Sequence, residues 1–404
     1  MARLKQSHKL LLLILIITIV MCNVYFETLM DTLFMDNTKE NGVEARINYN
    51  RKIPSKKREE HLHRIKAKHH IQKQEHSRPK TWSRFADVLP NDTPKTWAKY
   101  ANMHPNDRHK YSFKHKSWFE DDAPVASVPD FLTSPHTLCP RDKRLDYIVL
   151  VNSAIDHTLR RQAIRDTFGQ RNVSITISQR VVFLLGRPTS DSQADIDRES
   201  TEHGDIVQGD FIDTYHNLTL KGLMGLQFIV QFCPEVDWVV KIDDDVIVNV
   251  FKMANTLFPV HRKSRHLIGC SVNAKGAAPI MRMPTLEKWV VEPSQFKNLE
   301  FFPFPYCHGW FVVLSGDLVA PLLAAARVAP FFWIDDVYLF GLLPDVIGDV
   351  THLGVDLPDF QNGGLSRAIE CFKLYRNKCG HLAAVWNADE NLAYINKLWE
   401  IIKP

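Results

Sequence analysis

The sequence predicts an α/β domain on a mostly parallel central sheet, carried behind an N-terminal membrane anchor and a polar stem. Three observations predict it. Residues 10–26 form one uncharged apolar run. Residues 27–138 are polar and rich in His, Lys and Pro. Beyond Cys139, short β-branched runs alternate with helical periodicities, the pattern of strands connected through helices. The chain has 404 residues, 45% hydrophobic and 24% charged. That composition supplies an ordinary core and excludes both a polytopic membrane protein and disorder throughout.

Arg3, Lys5 and Lys9 precede the run Leu10 to Phe26. Its seventeen residues, at about 1.5 Å of rise each, just cross a thin bilayer. The basic flank stays cytoplasmic, which makes residues 1–9 a cytoplasmic tail and 10–26 a transmembrane signal anchor. Residues 27–138 are then a luminal stem and 139–404 the folded luminal domain. A cleaved signal peptide is the competing reading, but no small-x-small site follows the run.

In residues 51–80, eleven Lys and Arg stand against three Glu, a net +8. The whole chain carries +4, so the remainder is negative, which argues against nucleic acid as a partner. The stem histidines, such as His69 and His70, read as solvated. A nine-residue repeat, Pro79–Asp87 and Pro94–Asn102, is too short an array for a solenoid. Cys22 lies in the anchor. The other six cysteines, Cys139, Cys233, Cys270, Cys307, Cys371 and Cys379, suit up to three disulfides in an oxidising compartment. Sequons start at Asn91, Asn172 and Asn217, in keeping with luminal exposure.

The elements follow in order. Leu145–Asn152 reads as a buried strand and His157–Gly169 as a helix closed by Gly169. Arg180–Gly186 is a second strand, and Asp191–His203 a charged helix ending at Gly204. Tyr215–Phe232 is a long apolar helix stopped by Pro234, and Asp237–Ile242 a further strand. In such sheets ligands bind at the carboxyl ends of strands. The last strand runs into Asp243-Asp244-Asp245. Adjacent carboxylates at the end of a buried strand repel one another unless a cation joins them. On an extended chain Asp243 and Asp245 project together, with Asp244 turned away, and hard ions such as Mn²⁺ or Mg²⁺ suit such oxygens. An acidic turn or helix cap is the alternative.

The run DWVVKIDDDVIVN resembles the acidic motif of the β1,3-glycosyltransferases that use UDP-galactose or UDP-N-acetylglucosamine. Further blocks match in family order: Arg160–Gly169, Val182–Gly186, Glu202–Lys221, Tyr306–Ser315 and Trp333–Tyr338. Together they cover about residues 140–385. The resemblance implies a GT-A type fold and an inverting, metal-dependent transfer of a hexose from a UDP-sugar to a glycan acceptor on glycoprotein or glycolipid. It implies a Golgi type II enzyme. It implies Asp245 and Asp243 as metal ligands, with Asp243 and Asp244 on the nucleotide side. Arg161 and Arg165, four apart on one helix face, read equally as groups that hold diphosphate or orient the acidic triple and as a surface salt bridge. The base is Asp336 or Asp335, with Asp336 preferred and the choice left open by the residues. Trp310 and His308 are candidate substrate contacts. Asp210 and Asp213 read equally as caps or contacts, and Lys221 reads as solvated. Phe311 stands at a family glycine and is expected to reshape the acceptor pocket. Trp386 stands where relatives often carry His. The donor leans to galactose. A catalytically inactive relative and an unrelated metal phosphohydrolase are the competing functions.

Overall fold

The computed structural model describes residues 114, 116–139, 144–173, 177–283, 288–355, 357, 364–385 and 393–403. The chain divides into two units, Met1–Lys80 and Thr81–Pro404, and all described residues fall in the second. The expected anchor, most of the stem, its repeat, Asn91 and Trp386 lie outside the described residues. Among those described, no helix is long and apolar enough to cross a membrane.

Among the described residues ten strands and eight helical stretches organise the domain. Strands β1 (Phe131–Thr133), β2 (Tyr147–Asn152), β3 (Gln179–Arg187), β4 (Ile206–Ile212), β5 (Trp238–Asp243), β7 (Leu267–Asn273), β8 (Tyr306–Ser315) and β9 (Thr351–Gly354) form one sheet. Its order is β1-β4-β3-β2-β5-β8-β7-β9. The block β4-β3-β2-β5 is parallel, as alternating strands and helices require, while β8 runs antiparallel to both β5 and β7. The sheet is therefore mixed around a parallel centre. A second, two-stranded sheet pairs β6 (Val246–Val248) with β10 (Ala383–Val385).

Strand alternation splits the core into two layers. Tyr147, Val149 and Val151 of β2 face one cluster; Ile148 and Leu150 face the other. The first cluster also takes helices α1 (Thr158–Asp166) and α2 (Gln193–His203), the helical stretch α4 at 250–261, and α8 (Ala393–Ile402). Helix α7 (Gly364–Tyr375) adds Phe372 to it. The second layer takes α3 (Leu218–Phe232), α5 (Val319–Ala326) and α6 at 335–347, whose middle, Tyr338–Leu342, is a π turn. Helix α2 stops because Gly204 adopts φ 61°, a left-handed cap that glycine accepts at little cost. Gly169 closes α1 differently: a Cβ there would lie 2.6 Å from the Ile164 carbonyl oxygen.

The folded domain begins earlier than composition suggests. Phe119 is buried, and β1 pairs antiparallel with β4, so residues assigned to the stem are part of the sheet and core. All six cysteines pair, as Cys139–Cys233, Cys270–Cys307 and Cys371–Cys379. The first links residues 94 apart, a closure that removes roughly 4–5 kcal/mol of unfolded-chain entropy.

Candidate active site

Strands β2 and β5 are parallel neighbours with Asn152 opposite Asp243, so both leave the sheet at one edge. The loop Ser153–His157 and the acidic triple therefore face each other. Antiparallel β8 brings its first half to the same edge, with Phe311 opposite Ile242. Strand β5 ends at Asp243, and Asp244 and Asp245 form a turn into β6. The alternation argued for an extended chain thus stops at Asp243.

The three carboxylates have three different fates. Asp244 is buried and accepts from Ser153 Oγ (2.7 Å), His157 Nδ1 (2.7 Å) and Arg160 (3.0 Å). Burial works most strongly against its charge, but the hydrogen bonds from His157 and Ser153, together with the charges of His157 and Arg160, hold its pKa below the usual carboxylate value. Asp243 is partly exposed and takes Lys241 Nζ at 2.8 Å. Asp245 forms no ion pair among the described residues. Burial first, then the charges of Asp243 and Asp244, push its pKa up to about 6.

Asp335 and Asp336 open the first turn of α6. They reach the triple through Lys241, whose buried ammonium donates to the Gly309 carbonyl (2.6 Å) and lies 3.8 Å from Asp335. A Cβ at Gly309 would come within 3.1 Å of Asp336 Cβ, so glycine lets β8 press against this carboxylate pair. Burial first, then the Asp335 charge, raises Asp336 to about 7. Burial also raises Asp335, against the pull of Lys241. The helix-cap reading is partly realised, since Asp336 Oδ1 accepts the Val337 N–H at 2.8 Å.

Arg161 is fully buried. Its guanidinium forks onto Glu199 (2.8 and 2.7 Å) and also donates to Ser153 Oγ and to the carbonyls of Ala154 and Ile155. With its donors so engaged, it shapes the β2–α1 loop from beneath. Arg165 binds Asp205 through two nitrogens and also meets Glu199. Neither arginine is turned toward the acidic triple; its neighbour Arg160 is.

Lys221 is buried, not solvated, and bridges the Ser153 carbonyl (2.7 Å) to Asp213 (2.8 Å). Asp213 also accepts the Gly186 N–H, and Asp210 pairs with Arg187 at the surface. Phe311 is buried in the core beside β5, so it fills the interior and does not line a pocket. Trp310 is half-buried against that same core layer, and His308 is exposed one residue before Gly309. The residues that sequence reasoning missed are Ser153, His157, Arg160, Glu199 and Lys241. The available signal was position: the first four lie on or under the loop leaving β2, next to the switch in strand order.

Comparison with known proteins decides the family. Residues 159–352 match the galactosyltransferase family. Human beta-1,3-galactosyltransferase 5 is 32% identical over 246 residues, 60% of this chain and 76% of that protein. The chain belongs to this family. The human enzyme named acetylgalactosaminyl-O-glycosyl-glycoprotein beta-1,3-N-acetylglucosaminyltransferase is equally close, 32% identical over 65% of this chain and 74% of its own. Membership of the β1,3-glycosyltransferase family makes the chain a glycosyltransferase. Among solved structures, a glycosyltransferase involved in glycosylating the major capsid of PBCV-1 is 9% identical with a TM-score of 0.34, covering 63% of this chain and 98% of that one. That likeness is too slight to carry an inference.

Proposed function

We propose that the protein transfers a hexose from a UDP-sugar to the 3-hydroxyl of a glycan acceptor, with inversion, forming a β1,3 linkage. Galactose is favoured over N-acetylglucosamine, because the β8 block keeps Cys307 in its Tyr-Cys-x-Gly start. The observation that carries this reading is the Lys241 bridge, which ties the acidic triple and the Asp335–Asp336 pair into one site.

Inversion by direct displacement needs a base on the acceptor side and charge stabilisation on the leaving side. Asp336 serves as the base. With a pKa of about 7 it is about half ionised at neutral pH, more fully ionised above it, and still basic enough to take the proton of the attacking hydroxyl. Asp335, closer to Lys241, holds the ammonium that fixes the pair. Among the described residues no three His, Cys, Asp or Glu side chains converge on a metal position. The uncompensated charge at Asp245 nevertheless fits a divalent cation, Mn²⁺ or Mg²⁺, with Asp245 and Asp243 as its protein ligands and diphosphate oxygens as the others. Such an ion would neutralise the charge growing on departing UDP. Asp244, buried under Ser153, His157 and Arg160, orients the turn that presents Asp245.

The three disulfides support an oxidising compartment. With the basic flank of residues 10–26 they support a single-pass type II protein of the Golgi membrane, its catalytic domain luminal. The test is to incubate the purified protein with Mn²⁺, UDP-galactose or UDP-N-acetylglucosamine and a panel of glycan acceptors. A β1,3-linked product, lost in Asp245→Ala, is expected. UDP binding without transfer would contradict the reading and favour an inactive relative.

A further inference from the structure

Beside the carboxylate pair stands an aromatic surface that the chemistry above does not use. Tyr215 and Trp289 are 42% and 45% exposed, although large aromatics ordinarily bury most of their area. The Trp289 indole N–H donates to the Tyr215 hydroxyl at 3.0 Å, which locks the two rings as one surface. Trp333 meets Tyr215 edge-on, with ring centroids 6.3 Å apart, and packs on His216 at 4.4 Å.

This surface is fixed to the base. Trp333 precedes Asp335 by two residues, and Thr219 Oγ1 donates to the carbonyls of Phe332 and Trp333 at 2.9 Å. The start of α3, which carries Tyr215 just ahead of it, is thereby clamped to the segment that carries Asp335 and Asp336. The nearness also shows in charge: burial first, then the carboxylates of Asp335, Asp336 and Asp243, raise the Tyr215 phenol, against the Trp289 hydrogen bond. Lys288 lies over both rings, 4.6 Å from Tyr215 and 5.3 Å from Trp289, and adds donors at the edge of the platform.

We propose that Tyr215 and Trp289, braced by Trp333, form the acceptor platform, on which a pyranose ring of the glycan stacks its C–H face with its hydroxyl directed to Asp336. Exposed, hydrogen-bonded rings beside a base offer an apolar face and fixed polar edges, which is what a sugar ring presents in return. This rests on the glycosyl-transfer reading. Trp289 lies between β7 and β8, outside every block that matches the family motifs, so it sets acceptor choice without altering the shared chemistry.

The test compares wild type with Trp289→Ala, Trp289→Phe and Tyr215→Phe. Trp289 is half exposed, so its truncation should leave the thermal midpoint unchanged. Trp289→Ala is expected to raise the acceptor KM about tenfold while donor hydrolysis without acceptor keeps its KM and rate. Trp289→Phe should restore most of the loss, and Tyr215→Phe should raise the acceptor KM roughly threefold. Quenching of tryptophan fluorescence by methyl β-galactoside, methyl β-N-acetylglucosaminide or methyl α-N-acetylgalactosaminide provides a readout independent of transfer, and Trp289→Ala should weaken it. An acceptor KM within twofold of wild type in Trp289→Ala, or sugar quenching unchanged in that variant, would overturn the platform. Failure of the underlying reading would show differently, as no transfer by wild type from any UDP-sugar.

Discussion

The two walls of the site treat charge in opposite ways. On the β2 side the buried charges of the described residues are partnered: Arg161 forks onto Glu199, Lys221 bridges to Asp213, and Asp244 is held by Ser153, His157 and Arg160. On the other side one ammonium, Lys241, serves both Asp243 and Asp335. It leaves Asp245 and Asp336 with pKa values raised to about 6 and about 7. Satisfied charges build the loop, and uncompensated ones are available for a cation and a proton. The difference teaches that an acidic motif is not one functional unit: in Asp243-Asp244-Asp245 the middle residue belongs to the scaffold.

The comparison breaks first at activity. Asp336→Asn keeps the shape of the side chain and removes the base, so kcat should fall about 10²- to 10⁴-fold with little change in UDP affinity, measured by transfer kinetics and isothermal titration. A fall below tenfold would move the base to Asp335.

The second break is in stability. Arg161→Ala removes the forked partner of buried Glu199, leaving it to Arg165, and empties the space beneath the β2–α1 loop; it should cost roughly 3 kcal/mol in urea unfolding. Asp245→Ala removes a charge that the fold leaves uncompensated, and should be neutral or stabilising.

The pH dependence sharpens the contrast. Asp245 and Asp336 titrate above the value of about 4 expected in the unfolded chain, so the folded state binds the extra protons. Their contribution to stability is fully present below pH 4 and is lost as pH rises through about 6 and about 7. Asp244 has the opposite sign, since its lowered pKa gives stability that is lost as pH falls through that lowered value. Asp336→Asn should therefore lose less thermal stability than wild type between pH 5 and 8, read by calorimetry.

The smallest effect is steric. Gly309→Ala places a methyl 3.1 Å from Asp336 Cβ and near Lys241 Nζ. It should displace the carboxylate slightly and lower kcat several-fold with a stability cost of about 1 kcal/mol, checked by paired kinetics and melts.

Much of this architecture was legible in the chain. The parallel centre followed from apolar runs such as Tyr147–Asn152 and Trp238–Ile242, because strands buried on both faces are continuous in hydrophobicity. The position of the acidic triple followed from the end of β5. What stayed hidden was non-local. Nothing in the local pattern shows that β10 pairs with β6, or that β1 joins the sheet from a segment whose composition resembles a stem. Burial of Lys221 and Arg161 was hidden for the same reason: a cation's partners, here Asp213 and Glu199, come from distant segments. Gly309 and Phe311 lie two apart on β8, yet Phe311 sits opposite Ile242 and fills the core while Gly309 lies past the last residue paired with β5 and clears space for Asp336.

The most direct test is the pH profile of kcat/KM. The account predicts a rise with pH through about 7 as Asp336 ionises, with that limb absent from the residual activity of Asp336→Asn. A limb that persists unchanged in Asp336→Asn would contradict it.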